Sequence, residues 1–239
     1  MAPVTGRDGA RLREGAGTLD GPAFIRSQTR LAPVPLVPEI RLHIAADVID
    51  LWERTEQQAG REQLPPPFWG FPWAGGQALA RYLLDNAGTV RHRRVLDIAS
   101  GSGLVAIAAV RAGAAAVTAS EIDPLAAAAI TLNCAANGVR PAGIVGDVLG
   151  GHIVAVDAAA VAGTEVVLAG DAFYERSLAG QLLPFLHRCR AAGTLVLVGD
   201  PGRAYLPRDQ FERVGSYQVP VSRVLEDADV KETTVWRLR

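Results

Sequence analysis

A glycine-rich loop and three separate carboxylates are the residues of this 239-residue chain whose types and spacing could do chemistry. The loop Asp97-Ile-Ala-Ser-Gly-Ser-Gly103 leads into a predicted helix, and its glycines would let a ligand approach the backbone closely. Glu121 lies 18 residues after Gly103, where a carboxylate can accept both hydroxyls of a ribose. Residues 101–106 also fit the dinucleotide pattern G-x-G-x-x-A, so the loop alone leaves two classes of cofactor open.

Asp97 distinguishes between these two classes. A pyrophosphate bound to the loop would meet a like charge at the end of the same strand. S-adenosylmethionine would instead place its methionyl ammonium there, and Asp147 would accept a hydrogen bond from the adenine amine. A purely structural role for the three acids is the alternative. The carboxylates at successive strand ends favour a cationic ligand that carries adenosine.

Strands that alternate with helices must position these residues. After Trp73, apolar runs of strand length alternate with segments of helical spacing, and Asp123-Pro124 is typical of a helix start. Such alternation predicts an α/β fold, with a Rossmann-like, doubly wound, mostly parallel sheet of seven strands. Val224 and residues 235–238 are expected to form an antiparallel C-terminal hairpin. The predicted helices are 76–85, 103–112, 124–137 and 178–191, and the predicted strands are 95–98, 116–119, 144–145, 166–169 and 194–198.

The first ninety residues have a different pattern from the rest of the chain. Residues 1–21 have almost no hydrophobic periodicity and predict a disordered tail, and the prolines in 31–38 favour extended backbone. Apolar residues at helical spacing predict a helix over 40–58. We therefore expect a helical extension over 22–90, followed by a core over 91–239.

Composition excludes several classes of protein. Hydrophobic residues make up 49% and charged residues 21% of the chain, as in a globular protein with a sizeable core. A net charge of −1 argues against nucleic acid and membrane surfaces as partners, and the four histidines and two cysteines show no metal-ligand spacing. Lys231 is the only lysine, which suggests a GC-rich genome, and no secretory signal is visible. We expect a cytoplasmic bacterial protein.

Several motifs make the chain similar to a known family. The glycine loop, Glu121 and Asp171-Ala-Phe-Tyr174 resemble the class I, seven-β-strand S-adenosylmethionine-dependent methyltransferases. More narrowly, the chain resembles the electron transfer flavoprotein β-subunit lysine methyltransferase family over roughly residues 24–239. The segments that carry this narrower resemblance are Pro67-Phe-Trp-Gly-Phe-Pro-Trp73 with the helix after it, Glu121-Ile-Asp-Pro124, Thr131-Leu-Asn-Cys134, Gly199-Asp-Pro-Gly-Arg203 and Thr233-Thr-Val-Trp236.

The resemblance implies a set of cofactor-binding residues. Asp97 and Glu121 would bind the methionyl ammonium and the ribose, and Asp147 and Val148 would border the adenine. The remaining residues that it implies around the cofactor are Trp73, Ala99, Gly101, Gly103 and Gly170. Ala99 stands where the family has the first glycine of the loop. Alanine fits there if it keeps a negative φ, and on that basis we expect slightly tighter packing rather than loss of binding.

The resemblance also implies an acceptor and the residues that face it. The acceptor would be a lysine of the electron transfer flavoprotein β subunit or of a similar protein, and the enzyme would act as a monomer without a metal. Asp171 would orient the acceptor amine, and Tyr174 would lie beside it. Asp200 fits either a structural turn or a contact with the acceptor. Alternatives are a small-molecule N-methyltransferase and a nucleotide-binding module without catalysis.

Overall fold

The computed structural model describes residues 20–150 and 162–239, except for the side chain of Val224. The predicted tail therefore lies almost wholly outside the described residues. Its last residue, Gly21, begins helix α1 (Gly21–Gln28), and the Asp20 carboxylate caps this helix by accepting from the Ala23 N–H. None of the described helices is both long enough and apolar enough to cross a membrane.

An antiparallel hairpin follows helix α1, made of β1 (Thr29–Val34) and β2 (Val37–Ala45). The predicted helix over 40–58 is therefore wrong in its first part, and helix α2 begins only at Val48 (Val48–Ala59). Ile40 and Leu42 are fully buried and alternate with the exposed Arg41, which is the two-residue period of a strand. The apolar residues of this segment also fit a helical period, so their spacing alone does not decide between the two. Hydrogen bonding to β1 makes the segment a strand.

The central sheet has seven strands, in the order β5-β4-β3-β6-β7-β9-β8. All of its pairs are parallel except β7 with β9 and β9 with β8. This confirms the predicted fold class. The strands are β3 (Arg94–Ile98), β4 (Ala116–Ser120), β5 (Gly143–Val145), β6 (Val166–Gly170), β7 (Leu195–Asp200), β8 (Phe211–Pro220) and β9 (Val230–Leu238).

Helices cover both faces of this sheet, as a doubly wound fold requires. Along β6, Val166 and Leu168 pack into one apolar cluster, while Val167 and Ala169 pack into another. The helices on the two faces are α3 (Ala74–Asp85), α4 (Leu104–Arg111), α5 (Pro124–Ala136) and α6 (Arg176–Ala191). The first cluster contains residues of α3, α4 and α5, and the second contains residues of α6.

The predicted antiparallel C-terminal hairpin is present, but its first strand lies before Val224 in the chain. Val224 lies in the short helix α7 (Arg223–Glu226), and β8 pairs with β9 instead. Strand β8 carries charged residues and has few fully buried positions, because it forms the edge of the sheet. Its sequence therefore lacks the apolar run that marks the inner strands.

Helix α3 packs on the central sheet although it precedes residue 91. The division into an extension over 22–90 and a core over 91–239 stays a prediction.

Candidate active site

The carboxyl ends of β3, β4, β6 and β7 meet at one edge of the sheet. The chain runs outward from β3 to β4 and then returns to β6 on the other side, so the switch point lies between β3 and β6. Ligands of doubly wound folds bind at such a point. Asp97, Glu121, Asp171 and Asp200 all stand at this edge, at or just after the ends of their strands.

The glycine loop turns through left-handed backbone at three residues. The φ angles of Ala99, Gly101 and Gly103 are 50°, 54° and 80°. The expectation that Ala99 keeps a negative φ is therefore wrong, because the loop needs the same left-handed turn whether glycine or alanine stands there. A Cβ on Gly103 would lie 3.3 Å from Ile130, whereas one on Gly101 would meet nothing nearer than 3.9 Å. The loop is therefore packed against Ile130 on the side of Gly103, and it is open on the side of Gly101.

Asp97 lies beneath the loop and is 1% exposed. Its carboxylate accepts from the Ser100 hydroxyl and, at 3.1 Å, from the Ala106 N–H at the start of α4. Burial raises the pKa of Asp97 to about 7, although the bonds from Ser100 and Ala106 act to lower it. Asp97 therefore fixes the loop to the helix that follows.

Glu121 holds the loop from the neighbouring strand. Its Oε2 accepts from the Gly101 N–H at 2.9 Å, and its Oε1 accepts from the N–H groups of Ile122 and Asp123 at 2.7 and 3.0 Å. A carboxylate offers about four lone-pair positions, so these three bonds leave about one for a ligand hydroxyl.

Asp147 and Val148 follow β5. Asp147 is exposed, and its Oδ1 accepts from the N–H groups of Leu149 and Gly150 at 2.8 and 3.1 Å, which closes a tight turn. Val148 is 2% exposed. These two residues lie at the same end of the sheet, directly before the residues that the structure does not describe.

Trp73 directly precedes helix α3 at this edge, and its side chain makes no capping hydrogen bond to the helix. Its Nε1 donates to the Phe68 carbonyl at 2.8 Å, and its ring packs edge-on against Phe68, with ring centroids 5.8 Å apart.

Backbone contacts hold the start of α3 against the strand ends. A Cβ on Gly170 would lie 3.0 Å from the Gly76 Cα, and one on Gly75 would lie 2.3 Å from the Gly199 carbonyl oxygen. Only glycine fits at these crossings, so α3 touches the ends of β6 and β7 directly.

Asp171 is buried, and its carboxylate is fully engaged. Arg203 donates from Nε to Oδ1 at 2.6 Å and from Nη2 to Oδ2 at 3.1 Å, and the Gly75 N–H donates to Oδ2 at 2.9 Å. Burial raises the pKa of Asp171, and Arg203 acts against that rise. The φ of Asp171 is 63°, which turns the chain sharply after β6.

Tyr174 is 39% exposed at the mouth of this edge. Its ring lies 5.0 Å from that of Phe68, between centroids. Burial and the charges of Glu175, Glu121 and Asp171 raise the pKa of Tyr174 to about 12, so its hydroxyl keeps its proton at neutral pH.

Asp200 serves the turn after β7. Its Oδ1 accepts from the N–H groups of Gly202 and Arg203 at 2.7 and 2.8 Å, while its buried Oδ2 has no hydrogen-bond partner in the described structure. Across residues 20–150 and 162–239, no three His, Cys, Asp or Glu side chains form a group that could hold a metal ion.

Comparison with known proteins identifies the family. The electron transfer flavoprotein beta subunit lysine methyltransferase of Xenopus laevis is 37% identical over 90% of this chain and 85% of its own length. The human protein of the same name is 36% identical over 93% of this chain and 84% of its own length. The chain belongs to the electron transfer flavoprotein β-subunit lysine methyltransferase family. It is therefore a protein-lysine methyltransferase that depends on S-adenosylmethionine.

Two further similarities accompany this one. The family described as Ribosomal protein L11 methyltransferase (PrmA) matches residues 77–169 of this methyltransferase. The solved ribosomal protein L11 methylase of Lactobacillus delbrueckii subsp. bulgaricus aligns with a TM-score of 0.47 and 20% identity, over 69% of this chain and 79% of that chain.

These relatives correct one prediction. The expectation of a protein from a GC-rich bacterium is contradicted, since relatives that match most of the methyltransferase, such as those of Xenopus laevis and human, come from animals. The cytoplasmic location rested on that source and loses its support with it. A single lysine among 24 basic residues identifies neither a kingdom nor a compartment.

The edge of the sheet fits the cofactor of this methyltransferase family. The loop is open above Gly101, the carboxylate of Glu121 lies beside it, and the buried carboxylate of Asp97 lies beneath it. Acidic groups around an open loop suit a ligand that carries an ammonium and a sulfonium.

The sequence interpretation missed the partners of Asp171. Arg203 bonds to Asp171 on one edge and to Glu226 on the other, and Lys231 also bonds to Glu226. The available signal is the arginine of the segment Gly199-Asp-Pro-Gly-Arg203, which stands next to a buried turn. Glu226 lies in a short polar stretch that gave none.

Proposed function

We propose that this methyltransferase transfers methyl groups to a lysine of the electron transfer flavoprotein β subunit or of a similar protein. The observation that carries the proposal is the 37% identity over nine tenths of the chain to a relative named for that acceptor.

The cofactor side of the proposal uses the residues around the glycine loop. S-adenosylmethionine supplies a methyl group on a cationic sulfur, so the protein must bind, orient and exclude water. We propose that Glu121 binds the ribose through its remaining lone pair and that Asp97 favours the ammonium. The other residues proposed to line the cofactor are Trp73, Ala99, Gly101, Gly103, Asp147, Val148 and Gly170.

The acceptor side of the proposal uses Asp171 and Tyr174. A lysine amine must lose a proton before it reacts, and with an ordinary pKa of about 10.4 only about one in 2,500 is neutral at pH 7. The exposed Tyr174 hydroxyl can accept from or donate to the amine. Asp171 lies just before it, and its carboxylate, which Arg203 and the Gly75 N–H hold in place, is proposed to orient the amine.

The surface around the site supports a macromolecular acceptor. Among the described residues, five large hydrophobic side chains are exposed, and four of them lie at this edge. Such a surface matches a protein better than nucleic acid, which the net charge of −1 also disfavours as a partner. These four residues, with their exposed fractions, are Ile122 (76%), Val230 (51%), Tyr174 (39%) and Tyr205 (38%). A monomer is proposed to carry out the reaction.

The test is transfer of a labelled methyl group to purified acceptors. The electron transfer flavoprotein β subunit and ribosomal protein L11, the acceptor named by the partial family match, are compared at equal concentration. Label on a lysine of the β subunit alone, located by mass spectrometry, supports the proposal. Label on L11 alone, or only in the small-molecule fraction of a lysate, would overturn the acceptor. Binding of S-adenosylhomocysteine without any transfer would indicate a binding module.

A further inference from the structure

A chain of hydrogen bonds and ion pairs connects the loops that follow β6, β7 and β8, and the start of β9, at this edge of the sheet. It begins at the Gly75 N–H on Asp171 and continues from Asp171 to Arg203. Arg203 then binds Glu226 with Nη2 at 2.8 Å and Nη1 at 3.2 Å, and Lys231 Nζ lies 2.6 Å from the same carboxylate. The side chains of Asp171 and Glu226 are 4% and 2% exposed, so solvent does little to screen these pairs.

Arg203 is held so that its guanidinium faces two carboxylates at once. One edge of the planar group meets Asp171 and the adjacent edge meets Glu226, which is a geometry that lysine cannot reproduce. The Asp200 carboxylate fixes the backbone of Arg203 by accepting its N–H. Asp171 and Glu226 are thus paired with Arg203 and Lys231, and both oxygens of Asp171 are occupied.

The charge beside the acceptor amine decides how readily it loses its proton. An uncompensated carboxylate there would bind the ammonium well, but it would also hold the amine in its unreactive charged form. The groups that face Asp171 are Arg203, the Gly75 N–H, Glu226, Asp200 and Tyr174. Among these, Arg203 alone carries a positive charge.

We propose that Arg203 is a positioning residue that acts through Asp171. It neutralises and fixes that carboxylate, so that a lysine entering beside it can give up its proton and expose its lone pair. This inference rests on the proposed function, because it needs an amine at that place. It assigns to an arginine of the turn after β7 a part in the reaction that Asp171 alone could not play.

The first test is the pH dependence of kcat in Arg203→Met, Arg203→Lys and the wild type, with the protein acceptor that the wild type labels. In Arg203→Met we expect the pH at which kcat is half-maximal to rise by about one unit or more. The rate at pH 7 should fall at least about tenfold, with an unchanged or lower KM for the acceptor. Arg203→Lys should lie between the two. Arg208→Met makes the same change on the same loop, at an exposed residue with no ion pair in the described structure, and should match the wild type.

A structural role alone would give a different result. Lower rates in Arg203→Met at an unmoved pH profile, or a higher KM for the acceptor, would overturn the proposal. If Arg203→Met fails to fold, Glu226→Gln is measured instead, because it removes the negative charge of the second carboxylate that Arg203 contacts and leaves the charge of Arg203 to Asp171. Its profile should stay or move to lower pH, and a move to higher pH would overturn the proposal.

A second measurement needs no acceptor and so separates this inference from the proposed function. The Asp171 carboxyl is followed by carbon NMR across a pH series in the wild type and in Arg203→Met. We expect it to titrate at higher pH in the variant, because its positive partner is gone. An unchanged titration would overturn the neutralising role of Arg203, whatever the acceptor proves to be.

Discussion

The side-chain amide of Asn133 joins the backbone of Ser102, inside the glycine loop, to the N-terminal hairpin. Its Nδ2 donates to the Ser102 carbonyl at 2.8 Å, and its Oδ1 accepts from the His43 N–H at 2.8 Å. Asn133 is fully buried, so neither bond can be replaced by solvent. The hairpin thus supports the cofactor edge through one residue of α5.

Replacing Asn133 with alanine should lower the free energy of unfolding by about 2–4 kcal/mol, because two buried backbone groups lose their partners. Affinity for S-adenosylhomocysteine should fall as well, since the loop loses a support. Urea denaturation and calorimetric titration measure the two effects. Asn137→Ala, one helical turn later and more exposed, should cost less. Equal losses in both variants would contradict the special position of Asn133.

Glu121→Gln should raise the dissociation constant for S-adenosylhomocysteine about tenfold. The variant keeps the size of the side chain but loses the charge that strengthens a bond from a ligand hydroxyl. Isothermal titration gives the constant, and Glu175→Gln, on the acceptor side of the edge, is the control. An unchanged constant for Glu121→Gln would remove this residue from the cofactor site.

Tyr174→Phe should keep cofactor affinity within about threefold and lose at least about tenfold in methyl transfer. Phenylalanine preserves the ring contact with Phe68, so only the hydroxyl is tested. Single-turnover transfer with saturating cofactor is the measurement. Tyr205→Phe, equally exposed on the next loop, should transfer normally. A normal rate in Tyr174→Phe would place the hydroxyl outside the reaction.

Ala99→Gly should raise the free energy of unfolding by up to about 1 kcal/mol. Left-handed backbone costs alanine about 1–2 kcal/mol in the native state, and glycine removes this cost. The greater conformational freedom of glycine in the unfolded chain offsets part of the resulting stabilisation. Ala127→Gly, within helix α5, should instead lose about 1 kcal/mol. Thermal unfolding compares the two variants, and a loss of stability in both would contradict the left-handed turn at Ala99.

Asp97 should make the protein less stable as pH rises from 4 to 7. Burial raises its pKa to about 7 from an ordinary 3.8, so the native state binds more protons than the unfolded chain in this window. The free energy of unfolding therefore falls with rising pH. In Asp97→Asn this contribution is absent, and the fall between pH 5 and pH 7 should be smaller by roughly 2 kcal/mol.

Urea denaturation at the two pH values measures this difference, with the exposed Asp209→Asn as control. The buried Asp171 and Asp200 contribute in the same direction in every variant. A wild-type slope in Asp97→Asn would show that the Asp97 carboxyl titrates normally.

The inner strands and the helix starts could be predicted from the sequence because local signals mark them. Residues 166–169 form a short apolar run, and residues 95–98 are apolar except for Asp97. The Asp123 carboxylate caps α5 as expected, by accepting from the Leu125 N–H. Strand β2 could not be separated from a helix, because its two-residue and helical periods overlap and only pairing with β1 decides.

The site divides in the same way. The carboxylates at the strand ends were found because the fold brings strand ends together. The partners of Asp171 were not, since Arg203 and Glu226 lie 32 and 55 residues further along the chain and meet it only after the sheet has formed. The left-handed φ of Ala99 also depends on the tertiary loop and not on the residue.

The crossing of Gly75 and Gly199 limits how this enzyme can move. A side chain at a helix–sheet contact can change rotamer and let the two slide, but a Cβ on Gly199 would lie 2.0 Å from the Gly75 carbonyl oxygen, so backbone rests on backbone there. The start of α3 can therefore shift only together with the ends of β6 and β7. We expect Trp73 to keep its place relative to these strand ends when ligands bind.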